Sequence, residues 1–174
     1  MAAAKGPMAA VHAYVALGSN LDGPARRVRM AIDALGRLPD TALVAHSGLY
    51  RTAPIGYADQ PDFVNAVALL RTALSPRALL SELMILEREA GRERGVPNGP
   101  RTLDLDLLLH GDAVAADAHL TLPHPRMHER AFVLLPLAEI SPELQVPGHG
   151  SVRQLAACAA SDQFVERLRE PSLA

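Results

Sequence analysis

Residues 103–109 read Leu-Asp-Leu-Asp-Leu-Leu-Leu, and this run constrains the fold more than any other. Apolar residues at 103, 105 and 107 alternate with acids at 104 and 106. A period of two suits a β-strand that turns one face to a core. Asp104 and Asp106 then share the opposite face, with Cβ atoms roughly 6–7 Å apart at the rise of a strand. Two carboxylates on one rigid surface repel each other, and neither can be buried bare. Such a strand needs either a wet edge or a cation beside it.

The residues before it set the order of elements. "HAYVALGSN" (12–20) alternates and is rich in small and β-branched residues, which predicts a first strand ending in a turn. Pro24 suits a first helical position, and Val28, Ala31, Ile32 and Leu35 recur at helical spacing until Gly36 and Pro39 end the pattern. A second strand is expected over 42–52, a Pro/Gly loop over 53–61 and a third strand over 62–70. That third strand places Phe63, Asn65 and Val67 on one face and Val64, Ala66 and Ala68 on the other. Ser75 and Pro76 open a helix over 76–90, and "GRERGVPNGPR" (91–101) reads as a basic loop. The order is β-α-β-β-α-β. It predicts an α+β chain with a ferredoxin-like core: an antiparallel sheet with two helices on one face. The remainder predicts a short strand, a Pro/His loop and a helix, then one or two terminal helices. One catalytic domain is expected over 1–174, with residues 1–10 as a flexible tail.

Composition excludes several classes. Seventeen basic and nineteen acidic residues leave a net charge of −2, which is no signature of general nucleic-acid binding. Cys158 is the only cysteine, so neither an internal disulfide nor a cysteine-based zinc site can form. No apolar run is long enough to span a membrane, and the expectation is a cytoplasmic chain with no membrane partner. "HPRMH" (124–128) spaces two histidines one helical turn apart, but Pro125 interrupts that turn, so a transition-metal site is not expected.

The chemistry gathers round the acids. A divalent cation would relieve Asp104 and Asp106, and all-oxygen ligands completed by water favour Mg²⁺, which commonly also holds substrate phosphates. On its own the pair reads first as a wet strand edge with Arg101 bound to one acid. Arg92, Arg94 and Arg101 flank the Gly/Pro-rich segment just upstream. Arginines with a metal are the equipment of phosphoryl-type transfer, although on charge alone that segment is equally a solvated loop. Neither G-x-x-x-x-G-K-[ST] nor G-x-G-x-x-G is present, so a nucleotide site must be built another way. Phe63 and Asn65 share a strand face, and an aromatic wall beside an amide suits a flat heterocycle.

Four stretches in order, "YVALGSNL", "SGLYRTAPIGYADQPDFVNAV", "GPRTLDLDLLLHG" and "LPHPRMHERAFVLLPLAEI", resemble the 6-hydroxymethyl-7,8-dihydropterin pyrophosphokinases of folate biosynthesis over about residues 13–145. The resemblance implies transfer of pyrophosphate from ATP to the hydroxymethyl oxygen of the pterin, with release of AMP. By position it implies Asp104 and Asp106 as ligands of two Mg²⁺ ions, and Arg92 and Arg101 at the phosphates. It implies Asn65 as the pterin's hydrogen-bond partner, helped by backbone groups near Thr52 and Ile55, and Phe63 and Phe132 as the pair that sandwiches the ring. Glu87, Arg94, His124 and Arg130 fall on the nucleotide side.

ATP is thus expected as co-substrate, with no nucleic-acid partner and a monomeric chain. Three rivals stay open: a sensor that binds ATP without forming AMP, an ordinary kinase that releases ADP, and an RNA-binding module. The charge and the six aromatic residues speak against the last.

Overall fold

The computed structural model describes residues 9–54, 59–91 and 102–169. Strand β1 (Val11–Ser19) leads to helix α1 (Pro24–Leu35), which buries Val28, Ala31, Ile32 and Leu35 as the spacing predicts. The stretch expected as one strand is two, β2 (Thr41–His46) and β3 (Tyr50–Thr52), both antiparallel to β4 (Phe63–Thr72). Ser47 causes the break. The Val67 N–H donates to Ser47 Oγ at 3.0 Å, so a side-chain oxygen occupies a place that a ladder carbonyl would hold.

Helix α2 (Pro76–Glu89) starts with Ser75 Oγ accepting from the Ala78 N–H at 3.1 Å, a side-chain cap on an otherwise orphaned donor. Strand β5 (Asp104–His110) follows. A hairpin of β6 (Ala115–Ala116) and β7 (Thr121–Leu122) leads through a cis Leu122–Pro123 bond to a 3-10 turn at Met127–Glu129. Then come helix α3 (Ala131–Ile140), a hairpin of β8 (Gln145–Val146) and β9 (Gly150–Ser151), and helix α4 (Val152–Asp162). Of the one or two terminal helices expected, one forms, and the residues after it make β10 (Val165–Arg167).

The main sheet runs β10-β3-β4-β1-β5, with β2 alongside the far end of β4, and all its pairings are antiparallel. One face carries Ala13, Val15, Leu17, Val64, Ala66, Ala68, Leu105 and Leu107 and packs on α1 and α2. The opposite face carries Tyr14, Val67, Leu69, Leu108 and Leu109, and these pack on residues of α3 and α4 such as Val133, Leu137 and Val152. The two-helices-on-one-face expectation therefore described half of the molecule.

The bulge in β5 explains how its leucines serve both layers. Tyr14 pairs with Leu109 and Val15 with Leu107, so Leu108 is an extra residue that shifts the alternation and turns Leu108 and Leu109 to the second face. Nearer its start, β5 keeps strict alternation. Its leucines face α1 and α2, and its aspartates come up on the second face beyond the cover of α3.

Candidate active site

The register of the sheet builds the floor of the site. Gly18 on β1 lies between Asn65 on β4 and Asp104 on β5, and Ala16 lies between Val67 and Asp106. Cross-strand partners point to the same face, so an amide and a carboxylate stand either side of a residue with no side chain. A Cβ at Gly18 would meet Asn65 Oδ1 at 3.0 Å, tighter than ordinary contact. Small residues on the central strand thus open a trough, and Asp104 and Asp106 form one bank of it.

A cavity of about 310 Å³ occupies this trough. Thr52, Phe63, Asn65, Asp104, Asp106, Arg130 and Phe132, all expected at the site, line it. Asn65 and Thr52 are buried, and Asn65 Nδ2 donates to Thr52 Oγ1 at 3.0 Å. That bond fixes the amide, which presents Oδ1 on the side where Gly18 leaves room. Phe132, on the first turn of α3, forms a wall, and the Arg130 guanidinium carbon stands 5.5 Å from its ring centroid.

The charges are arranged in opposition. Arg126, Arg130 and Glu129 come from the turn before α3 and share the cavity with the two aspartates. Burial, then the neighbouring Arg126, lowers the Arg130 pKa from its ordinary value, while Asp106 and Asp104 pull the other way. The guanidinium stays charged at neutral pH. His124 is held below the ordinary imidazole range by burial and then by Arg130, against the opposing pull of Asp104.

Other expected residues fall elsewhere. His124 does not line the cavity; its Nδ1 accepts from the Arg126 N–H at 3.2 Å and so braces the arginine-bearing turn. Glu87 is buried on α2 and also lies off the cavity wall, where it accepts from the Leu105 N–H at 3.3 Å. It therefore grips the backbone of β5 between the two aspartates. Ile55, Arg92, Arg94 and Arg101 lie outside the described residues, as does most of the expected tail.

Sequence reasoning missed several contributors. Ser19 looked like a turn residue, yet it is fully buried and its hydroxyl donates to the Thr102 carbonyl at 2.6 Å. Asn20 donates to Gln60 Oε1 at 2.8 Å and to the Pro61 carbonyl at 3.0 Å. The "GSN" at the end of β1 thus staples the approaches to both β5 and β4. Polar residues buried at the end of a strand were the available signal. Arg126, Glu129 and Gln163 were also missed as cavity residues.

The residues present fit a magnesium ion. Among the described residues, no group of three or more His, Cys, Asp or Glu could hold a metal. Asp104 and Asp106 offer carboxylate oxygens alone, so a cation held by them would take an oxygen shell completed by water and substrate, as Mg²⁺ does. Two carboxylates and two guanidinium groups lining one cavity, with Phe132 and the Asn65 amide on its wall, are the equipment of an enzyme of the phosphoryl-transfer class.

Comparison with known proteins agrees. The model of the family 7,8-dihydro-6-hydroxymethylpterin-pyrophosphokinase matches residues 14–142. The chain is 52% identical over 156 residues to 2-amino-4-hydroxy-6-hydroxymethyldihydropteridine pyrophosphokinase of Pseudomonas aeruginosa, covering 89% of this chain and 95% of that one. Its Haemophilus influenzae counterpart is 44% identical over 156 residues, covering 90% and 98%. A Plasmodium falciparum HPPK-DHPS crystal structure with pteroate superposes with a TM-score of 0.71 at 13% identity, over 90% of this chain and 44% of that longer chain, a likeness of fold alone. The chain belongs to the 7,8-dihydro-6-hydroxymethylpterin pyrophosphokinase family.

Proposed function

We propose that the trough between β4, β1 and β5 carries out the family's reaction, with the pterin at the Asn65 end and the ATP phosphates at the Asp104 end. The chain transfers pyrophosphate from ATP to the hydroxymethyl group of 6-hydroxymethyl-7,8-dihydropterin, releasing AMP, in folate biosynthesis. The observation that carries the assignment of residues is the row Asn65–Gly18–Asp104, which sets an amide suited to a heterocycle across from a carboxylate suited to a phosphate-bound cation. The strand order, with the second and third strands of the repeat on one side of β1 and the fourth on the other, supports a ferredoxin-like core.

In this reading Asn65, held by Thr52, accepts from the N–H groups of the pterin, and Phe63 and Phe132 cover its two faces. The hydroxymethyl oxygen then points along the trough toward Asp104. It attacks the β-phosphorus in line. A new O–P bond forms, the bond from that phosphorus to the oxygen bridging the α-phosphorus breaks, and AMP carries the bridging oxygen away. The hydroxyl proton is released as the new bond forms. Asp104 and Asp106 would hold two Mg²⁺ ions, which would supply charge neutralisation at the phosphates. Arg126 and Arg130 line the same cavity, and the resemblance assigns Arg92 and Arg101 to the phosphates. Asp104, Arg130 and Phe132 line one cavity, so a bound substrate would bring the charged groups together where it displaces water.

Chelation tests this arrangement. Excess EDTA should abolish turnover and added Mg²⁺ should restore it, while pterin binding, measured separately, should survive. Undiminished turnover in EDTA would contradict the assignment of the aspartates.

A further inference from the structure

Helix α3 begins without a side-chain cap of its own. Arg130 stands at its N-cap position and makes no capping hydrogen bond with its side chain. The first helical residue, Ala131, is wholly buried, so water cannot serve its N–H. Gln163, the residue that ends α4, supplies the missing partner from across the molecule. Its Oε1 accepts from the Ala131 N–H at 3.0 Å, and its Nε2 donates to the Glu129 carbonyl at 2.7 Å. Both functions of one amide are thus spent on the backbone either side of Arg130.

Gln163 also lines the cavity, beside Arg130, Phe132, Thr52 and Ala53. The segment that carries it is fastened at its far end as well. Val165 to Arg167 pair with β3, and Arg167 and Tyr50 both donate to Glu139 of α3, at 2.9 and 2.6 Å. The chain end therefore touches both walls of the heterocycle pocket: the β3 wall that carries Thr52 and the α3 wall that carries Phe132. Gln163 and Val165–Arg167 lie beyond the stretch that the family model matches.

We propose that Gln163 is a positioning residue for pterin recognition, acting by clamping the Glu129–Ala131 backbone so that Phe132 stands at the correct distance from Asn65. This rests on the reading of Phe132 as a wall of the pterin pocket. Gln163 touches no reacting atom. Its effect is on the fit of the ring, and so falls on the Michaelis constant for the pterin more than on kcat.

The test is a double-mutant cycle on the full chain with Gln163→Ala, Phe132→Ala and the combined variant. Gln163→Ala should raise the pterin KM about tenfold, the scale of a lost hydrogen bond to a buried amide, with kcat changed less than about threefold. The two effects should be strongly non-additive, since the clamp has nothing to place once the ring is gone. Gln163→Glu keeps the acceptor for the Ala131 N–H but sets a carboxylate oxygen against the Glu129 carbonyl where the donor was, and should raise the pterin KM at least as much even if the alanine variant folds poorly. An unchanged pterin KM in Gln163→Glu and Gln163→Ala would overturn the proposal, and so would simple additivity with Phe132→Ala. An unchanged pterin KM in Phe132→Ala alone would instead overturn the pocket reading beneath it.

Discussion

Replacing Asp104 by alanine is expected to lower kcat by roughly a thousandfold or more, because several kcal/mol of transition-state charge stabilisation are removed at once. The geometry makes the loss hard to repair. Asp104 and Asp106 occupy alternate positions of one strand, so the remaining carboxylate cannot move to a point between the two places. The cross-strand partners Gly18 and Ala16 carry no ligating side-chain atoms to take its place. The fold should survive, since the side chain is half-buried at the trough and makes no part of either apolar cluster. Steady-state kinetics with a thermal melt would check both halves. A variant that melts normally and retains more than about a tenth of wild-type kcat would contradict the role given to Asp104.

Asn65→Leu should be the most damaging change at the other end of the trough. Leucine keeps much the same volume but can neither donate nor accept. A pocket that recognises its ligand by hydrogen bonds pays heavily when the bonds cannot form, and kcat/KM for the pterin should fall about a thousandfold or more. ATP affinity should be nearly unchanged, because the side chain lies across Gly18 from the carboxylates. Part of the cost will appear as instability. Thr52 Oγ1 loses the donor that now reaches it, and a buried hydroxyl left without that bond costs about 1–3 kcal/mol. Pterin and ATP titrations by calorimetry separate the two ligands. Equal weakening of both would show that Asn65 supports the fold rather than the heterocycle.

How much of this could be read in advance depended on whether the cause was local. The alternation of Leu103 to Leu107 placed the aspartates on one face without any knowledge of the neighbours, and that of Phe63 to Ala68 placed Phe63 with Asn65. The helix spanning Pro24–Leu35 was legible from its spacing and from Pro24. What failed was set by contacts distant in sequence. The break between β2 and β3 depends on Ser47 capturing the Val67 N–H, twenty positions away. Strand β10 exists because β3 offers a free edge and Glu139 anchors Arg167, neither of which is visible in "QFVERL".

The site divides the same way. Spacing placed the two carboxylates on one face and Phe63 with Asn65 on another, but only the resemblance joined them to Phe132 and to a phosphate-bound metal. Glu87 and His124 did not reveal that they brace the backbone from behind the cavity, because the resemblance gives a position and not a direction. Gln163 carried no local signal at all. Its importance comes from the uncapped start of α3, a need created more than thirty residues earlier in the chain.

The central claim is that the oxygen of the pterin attacks the β-phosphorus of ATP in this trough. Incubation with ATP, Mg²⁺ and 6-hydroxymethyl-7,8-dihydropterin, followed by chromatographic separation of nucleotides and pterins, tests it most directly. AMP and a diphosphorylated pterin should appear in equal amounts, and neither should form without the pterin. ADP with a monophosphorylated pterin, or no nucleotide turnover that depends on the pterin, would contradict it.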